Sequence, residues 1–135
     1  GMRAFKQVPG TPPWVAGMFD CRGTAVPAID LSALAGAGDA VMVTSTRLAL
    51  VRYRPDGQGE ARLLGLILEQ ATETVHYDPA AFQPVGLDTP AARYLGPVLS
   101  DARGMVQAVR VADLLSEPVR ALLFPADAAR VGALP

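Results

Sequence analysis

Two short apolar runs separated by a polar break that ends in glycine constrain the first third of the chain. Residues 15–19 and 25–31 flank residues 20–23, which read Asp-Cys-Arg-Gly. This pattern predicts a β-hairpin, because glycine in the connection takes positive φ without a steric clash. The hairpin would hold Arg22 out at its tip. Pro27 lacks a backbone donor, which predicts that the second strand lies at a sheet edge or against a bulge.

Several later segments have the length and alternation of strands, and breakers or polar turns separate them. We predict strands at residues 46–53, 61–69, 72–77, 93–99 and 104–110. The first of these carries apolar residues on both faces, which predicts burial on both. Gly65 inside the second indicates a bulge or a close backbone approach. Many short strands with little helix predict an all-β, or mainly β, fold.

Short helices complete the predicted organisation. Residues 32–35 can form one turn after the hairpin, and residues 111–116 another. Ser116 can cap a following helix, with Val119, Leu122 and Leu123 on one apolar face. Residues 36–46 and 79–90 are predicted to be loops.

Composition excludes several classes of function. The chain has 135 residues, half of them hydrophobic, and a formal net charge of -1 with a single lysine. Such a chain has no general attraction for nucleic acid or for an anionic membrane surface. The apolar runs are too short to cross a bilayer, and a lone cysteine fits a reducing compartment, so the sequence predicts a soluble cytoplasmic protein. Gly1 before Met2 indicates the remnant of a purification tag.

The sequence contains few groups that could form a metal site or a catalytic site. His76 and Cys21 are the single histidine and cysteine and lie far apart in sequence, so no metal site is predicted. Asp30 and Glu69 end apolar strands and could form a carboxylate pair, although acids at strand ends more often cap turns or pair with arginine. By its position alone, Arg22 is equally a solvated turn residue or a preorganised interface anchor, since arginine is favoured in interfaces.

The hairpin also carries a family resemblance. Residues 17–23 and 26–31, reading Gly-Met-Phe-Asp-Cys-Arg-Gly and Val-Pro-Ala-Ile-Asp-Leu, resemble the signature of CheW-like chemotaxis coupling domains, with Asp-Cys where Asn-Leu is usual. Residues 64–69, 94–96 and 113–115 are similar to later motifs of that family. The resemblance spans residues 8–123.

This resemblance implies a pair of small SH3-like β-barrels and a non-catalytic adaptor without a cofactor. It would couple the cytoplasmic tip of a chemoreceptor to the regulatory domain of a CheA-like histidine kinase. The implied partner-binding residues are Gly17, Phe19, Asp20, Arg22 and Gly23. The matching arginine in such proteins lies on the surface that meets the partners.

One departure from the family concerns the N-terminus. CheW-like domains normally have two strands before the segment that resembles residues 8–12, so residues 1–135 are expected to form a single domain that is N-terminally incomplete. An open sheet edge is a template for pairing, which predicts a homodimer. A small-ligand-binding barrel and a carboxylate-based enzyme are the alternative functions.

Overall fold

The residues that the structure describes form six strands and a few short helices, which confirms the predicted mainly β fold. The computed structural model describes residues 5–36, 46–55, 59–71, 73–84 and 92–125. The strands are β1 Val15–Cys21, β2 Thr24–Asp30, β3 Arg47–Tyr53, β4 Arg62–Leu68, β5 Leu95–Asp101 and β6 Gly104–Val109. The helices are α1 Leu31–Leu34, single 3₁₀ turns at Pro79–Ala81 and Val111–Asp113, and α2 Glu117–Leu123.

The strands are arranged in two sheets. The larger has the order β1-β2-β4-β3, and the smaller is the β5-β6 hairpin. All pairs are antiparallel except β2 with β4, whose parallel register joins Ala28 to Gly65 and Asp30 to Ile67. Over the described ranges neither sheet closes on itself, an arrangement compatible with two small barrels.

The predicted hairpin is present as β1 and β2, but its second strand is not at an edge. β2 lies between β1 and β4. Pro27 is accommodated there because the parallel pairing with β4 begins only at Ala28, so the missing donor falls outside that ladder. The register of β1 also shifts between Val15 and Gly17, one position from the partner of Pro27.

That register shift divides the hairpin between two faces of the sheet. Val15 and Phe19 are four residues apart and would share a face in a regular strand. Instead Val15 packs with Ile29 in the main core, whereas Phe19 packs with Ala28 in a second cluster. The bulge therefore lets one short hairpin supply apolar side chains to both faces of the sheet.

Gly65, in β4, lies on the face of the sheet that carries this second cluster. A Cβ at this position would be 2.9 Å from Cε1 of Phe19 and 3.0 Å from Cδ1 of Leu48. The prediction of a bulge or a close backbone approach is wrong here, because pairing is regular through Gly65 and the close atoms belong to side chains of β1 and β3. Glycine is needed here because the aromatic ring occupies the space of a side chain.

The main core joins the larger sheet to the C-terminal helix. Leu64 and Leu66 of β4 belong to the same buried cluster as Val119 and Leu123 of α2. The prediction that Leu122 shares this apolar face is wrong, since it is 41% exposed. The short helix turns only two of the three side chains fully toward the sheet.

One predicted strand is present but less buried than expected, and another is absent. The segment predicted to be buried on both faces forms β3, an outer strand of the larger sheet, and most of its side chains are exposed or half-buried. Residues 73–78 form no strand. In that segment Tyr77 and Glu73 bond to side chains of the β5-β6 hairpin, so side-chain contacts hold it in place of a backbone ladder. The predicted loops at residues 37–45 and 85–90 lie outside the described residues.

Candidate partner-binding site

The tip of the β1-β2 hairpin is a two-residue turn. Cys21 pairs with Thr24, and between them Arg22 and Gly23 have φ of 53° and 86°. Positive φ at both central positions is the geometry that matches the twist of the flanking strands. Asn, Asp and Gly are favoured in such turns, whereas arginine costs about 1 kcal/mol or more in this conformation.

Arg22 is therefore strained and fully at the surface. Its side chain is exposed, and no atom lies within 4 Å of the position that a Cβ on Gly23 would occupy. A strained residue that fills no core space and makes no described hydrogen bond or ion pair does not improve the stability of the fold. The guanidinium is instead available to bind a partner.

Gly17, another predicted site residue, is buried and has φ of 132°. A Cβ there would clash with the carbonyl oxygen of Lys6. Lys6 pairs with the next residue, Met18, through two backbone hydrogen bonds of 2.8 Å. Gly17 thus allows the N-terminal segment to lie against β1, and this close pairing could have been anticipated from the glycine in a strand.

Phe19 is also buried, at 5% exposure. Its ring meets Phe5 edge to face, with centroids 5.9 Å apart and planes at 88°. Phe19 therefore contributes mainly by positioning the strand that carries Asp20, and only a small part of its surface remains for direct contact. Of the five predicted residues, Asp20, Arg22 and Gly23 are exposed, and Gly17 and Phe19 lie beneath them.

A shallow groove of about 400 Å³ runs beside the hairpin. It combines apolar walls with the charges of Lys6 and Asp20, which suits an apolar side chain flanked by polar groups. The lining residues are Phe5, Lys6, Met18, Phe19, Asp20 and Ala25. Sequence patterns did not reveal Lys6 or Met18, because the pairing that places them together depends on a single bridge between distant segments.

A larger open groove, about 650 Å³, lies under the N-terminal segment. Residues 7–13 form one side, and Val15, Asp30 and Ile67 contribute to the other. Its carboxylate is already engaged, since Oδ1 of Asp30 accepts a hydrogen bond of 3.2 Å from the backbone N–H of Ala33 and caps α1. This is the cap expected for an acid at a strand end.

The two members of the candidate carboxylate pair lie at the same end of the sheet but in different surroundings. Asp30 pairs with Ile67 in the parallel register, so Glu69 lies only two residues beyond it at the same end of the sheet. However, Asp30 is buried and caps a helix, whereas Glu69 is exposed. His76 is exposed in a segment without strand structure. In the part of the chain that the structure describes, no three His, Cys, Asp or Glu residues are grouped as metal ligands.

A polar cluster at the turn of the β5-β6 hairpin was not anticipated from the sequence. The Tyr77 hydroxyl donates to Oδ2 of Asp101 at 2.8 Å, and Arg103 contacts Glu73 at 2.7 Å. The hydrogen bond from Tyr77 lowers the pKa of Asp101, and the same bond raises the pKa of Tyr77. These exposed contacts attach residues 73–78 to the turn between β5 and β6.

Comparisons with known proteins place the chain in a family. The model of the CheW-like domain matches residues 1–119. The crystal structure of the scaffolding protein TtCheW from Thermoanaerobacter tengcongensis superposes with a TM-score of 0.70 and 21% identity, over 87% of this chain and 73% of that one. None of the curated proteins compared with the chain matches it.

Across the ranges that the structure describes, no helix has the length and apolar character needed to cross a membrane. The family match covers most of the chain and includes the hairpin, both sheets and the beginning of α2. The chain belongs to the CheW-like domain family, a family of non-catalytic scaffolding adaptors in chemotaxis.

Proposed function

We propose that this chain works in the cytoplasm as an adaptor that couples the tip of a chemoreceptor to the regulatory domain of a CheA-like histidine kinase. The family supports the general role of an adaptor. The observation that carries the proposal is Arg22, an exposed and strained residue at the tip of a rigid hairpin. Its planar guanidinium can make several directed hydrogen bonds to a partner.

The proposed receptor-binding surface has two layers. Asp20, Arg22 and Gly23 make contact at the surface, and Gly17 and Phe19 hold the strand in position from below. The groove beside the hairpin offers space for an apolar anchor of the partner. This arrangement of a pocket next to a directed charged group is typical of residues that dominate binding energy.

The test is the substitution Arg22→Ala, with titration of a receptor-tip fragment and of the kinase regulatory domain. We expect the affinity for at least one partner to fall by on the order of 2 kcal/mol, with little change in thermal stability. Arg93→Ala is the matched control, because Arg93 is also exposed but lies outside the hairpin. A large loss of stability with unchanged affinity would assign Arg22 a structural role and contradict the proposal.

Self-association through an open sheet edge is a separate proposal. Light scattering after size exclusion tests it at the protein concentration used for the titrations. A dimer that persists on dilution supports self-association, and a monodisperse monomer rejects it. The result also determines whether partner affinities refer to one copy or two.

A further inference from the structure

Strand β3 has a strongly basic outer edge although the whole chain is nearly neutral. Residues 46–54 read Thr-Arg-Leu-Ala-Leu-Val-Arg-Tyr-Arg and contain no acid. Arg47, Arg52 and Arg54 are all exposed. For Arg52 and Arg54, no carboxylate of the described residues lies within ion-pair distance. The positive charges of Arg52 and Arg54 are therefore available to a partner.

Apolar side chains accompany this charge on one face. Leu50 is 47% exposed and Leu63 is 40% exposed. Arg52 lies directly opposite Leu63 in the antiparallel register, and Leu50 lies two residues along β3, opposite Gly65. Side chains in directly opposite and alternate positions share a face of a sheet. We call Leu50, Arg52, Arg54 and Leu63 the β3 edge patch.

The backbone of β3 also offers hydrogen bonds. β3 is the last strand of the larger sheet, and over the described ranges no strand pairs with its outer side. An edge strand presents alternating N–H and C=O groups that can accept another extended chain. Arginines alone would protect such an edge from pairing, but exposed leucines beside them add apolar surface to it.

We propose that the β3 edge patch binds an extended acidic segment of another protein, which adds as a further strand beside β3. Backbone pairing would supply affinity. On the face that carries the patch, Leu50 would contact an apolar side chain of the added strand, and Arg52 and Arg54 would select acidic ones. This surface lies at the opposite edge of the sheet from β1, so the proposal does not depend on the role of Arg22.

Charge argues against a second copy of the chain as the occupant. Antiparallel pairing of β3 with β3 of another copy would place arginine-rich strands side by side. Like charges directly opposite each other destabilise a sheet. An acidic strand has the complementary charge, which is why we assign the patch to a different protein.

A pair of synthetic peptides tests the proposal with the full chain. In one, Thr occupies every second position and Glu or Val the positions between, so that Glu and Val lie on the same face of the added strand; in the other, Lys replaces each Glu. We expect fluorescence anisotropy to show binding of the Glu peptide, and hydrogen exchange to slow at alternate amides of β3 when it binds. Equal binding of the Lys peptide, or protection elsewhere than β3, would overturn the proposal.

Variants identify the residues responsible. Arg52→Glu should weaken the Glu peptide about tenfold or more and favour the Lys peptide, because the sign of the charge is reversed. Arg93→Glu is the matched control and should leave binding unchanged. Leu50→Ser should also weaken binding, with the exposed Met105→Ser in β6 as its control. Arg52→Gln, with melting temperatures for every variant, separates binding from folding. Unchanged affinity in folded Arg52→Glu would overturn the proposal, as would dimerisation of the chain through β3.

Discussion

The β1-β2 and β5-β6 hairpins contain the same four-residue pattern but form different turns. Residues 20–23 and 101–104 both read Asp-x-Arg-Gly. In the first hairpin the last strand pair is Cys21 with Thr24, so the turn consists of Arg and Gly. In the second, Asp101 pairs with Gly104, so the turn consists of Ala and Arg. The position of the turn shifts by one residue.

Side-chain hydrogen bonds account for this difference. Asp101 accepts a bond of 2.8 Å from the backbone N–H of Arg103, which stabilises a turn that begins at the aspartate. Arg103 then reaches Glu73. Asp20 instead lies inside a strand, opposite Ala25. The second arginine is thus used within the chain, whereas Arg22 is left in a strained conformation at the surface.

The hairpins also differ in how they are held. Phe19 and Val26 of the first are buried, whereas Met105 and Val109 of the second are 71% and 39% exposed. Polar contacts to residues 73–78 support the second hairpin, and such exposed contacts contribute little stability. Burial therefore fixes the first hairpin firmly enough to present a strained tip.

The largest expected effect is a difference in stability between a buried position in the larger sheet and a partly exposed position in the smaller one. Leu66→Asp in β4 should lower the free energy of unfolding by about 4 kcal/mol or prevent folding, because it buries an unpaired carboxylate in place of an apolar side chain. Val109→Asp in β6 should cost about 1 kcal/mol or less, since the site is partly exposed. Urea denaturation measures both, and equal losses would contradict the difference in burial.

A smaller effect is expected from glycines of the first hairpin. Gly17→Ala should lower the free energy of unfolding by about 2 kcal/mol, because the new Cβ meets the Lys6 carbonyl at positive φ. Gly23→Ala has the same class of backbone strain but open space around it, so we expect about 1 kcal/mol. Thermal denaturation compares them. A Gly17→Ala protein as stable as wild type would show that the pairing of Lys6 with Met18 is not maintained.

The arginines of the two turns should respond in opposite directions. Arg22→Asn should raise the free energy of unfolding by about 0.5 kcal/mol, because asparagine tolerates positive φ better, while weakening partner binding. Arg103→Asn should lower stability slightly through loss of the contact with Glu73. Matched melting curves and partner titrations give both readouts. Destabilisation by Arg22→Asn would remove the argument from strain.

The smallest effect is a dependence on acid at the second hairpin. The hydrogen bond from Tyr77 holds the pKa of Asp101 below its usual 3.8, so the ionised form is favoured in the folded state. Its stabilising contribution is present above 3.8 and is lost as pH falls through the folded pKa. Asp101→Asn should therefore flatten the acid limb of the stability curve slightly. An identical pH dependence in wild type and variant would contradict this.

Several features were predictable from local sequence. The β1-β2 and β5-β6 hairpins and the strand around Gly65 follow from alternation and turn residues, whereas the side chains that approach that glycine do not. The family resemblance was also confirmed. The strand predicted at residues 72–77 was wrong because alternation alone favours a strand, whereas Tyr77 and Glu73 bond to residues distant in sequence.

The candidate site was only partly predictable. Its position at the hairpin tip followed from a polar break ending in glycine, and exposure of Arg22 agrees with it. The sequence did not predict which of these residues are exposed and which are buried, because Gly17 and Phe19 are buried by contacts with the distant residues Lys6 and Phe5. No local pattern encodes those contacts.

By itself, the sequence determined which segments extend and which turn, since steric limits on φ and the alternation of side chains act between near neighbours. Only the tertiary structure decided that β2 is interior, that β3 is an edge and that the two Asp-x-Arg-Gly turns differ. Strand order and turn position depend on which surfaces meet in space. Arg103 therefore has partners within the chain, whereas none is seen beside Arg22 in the described structure.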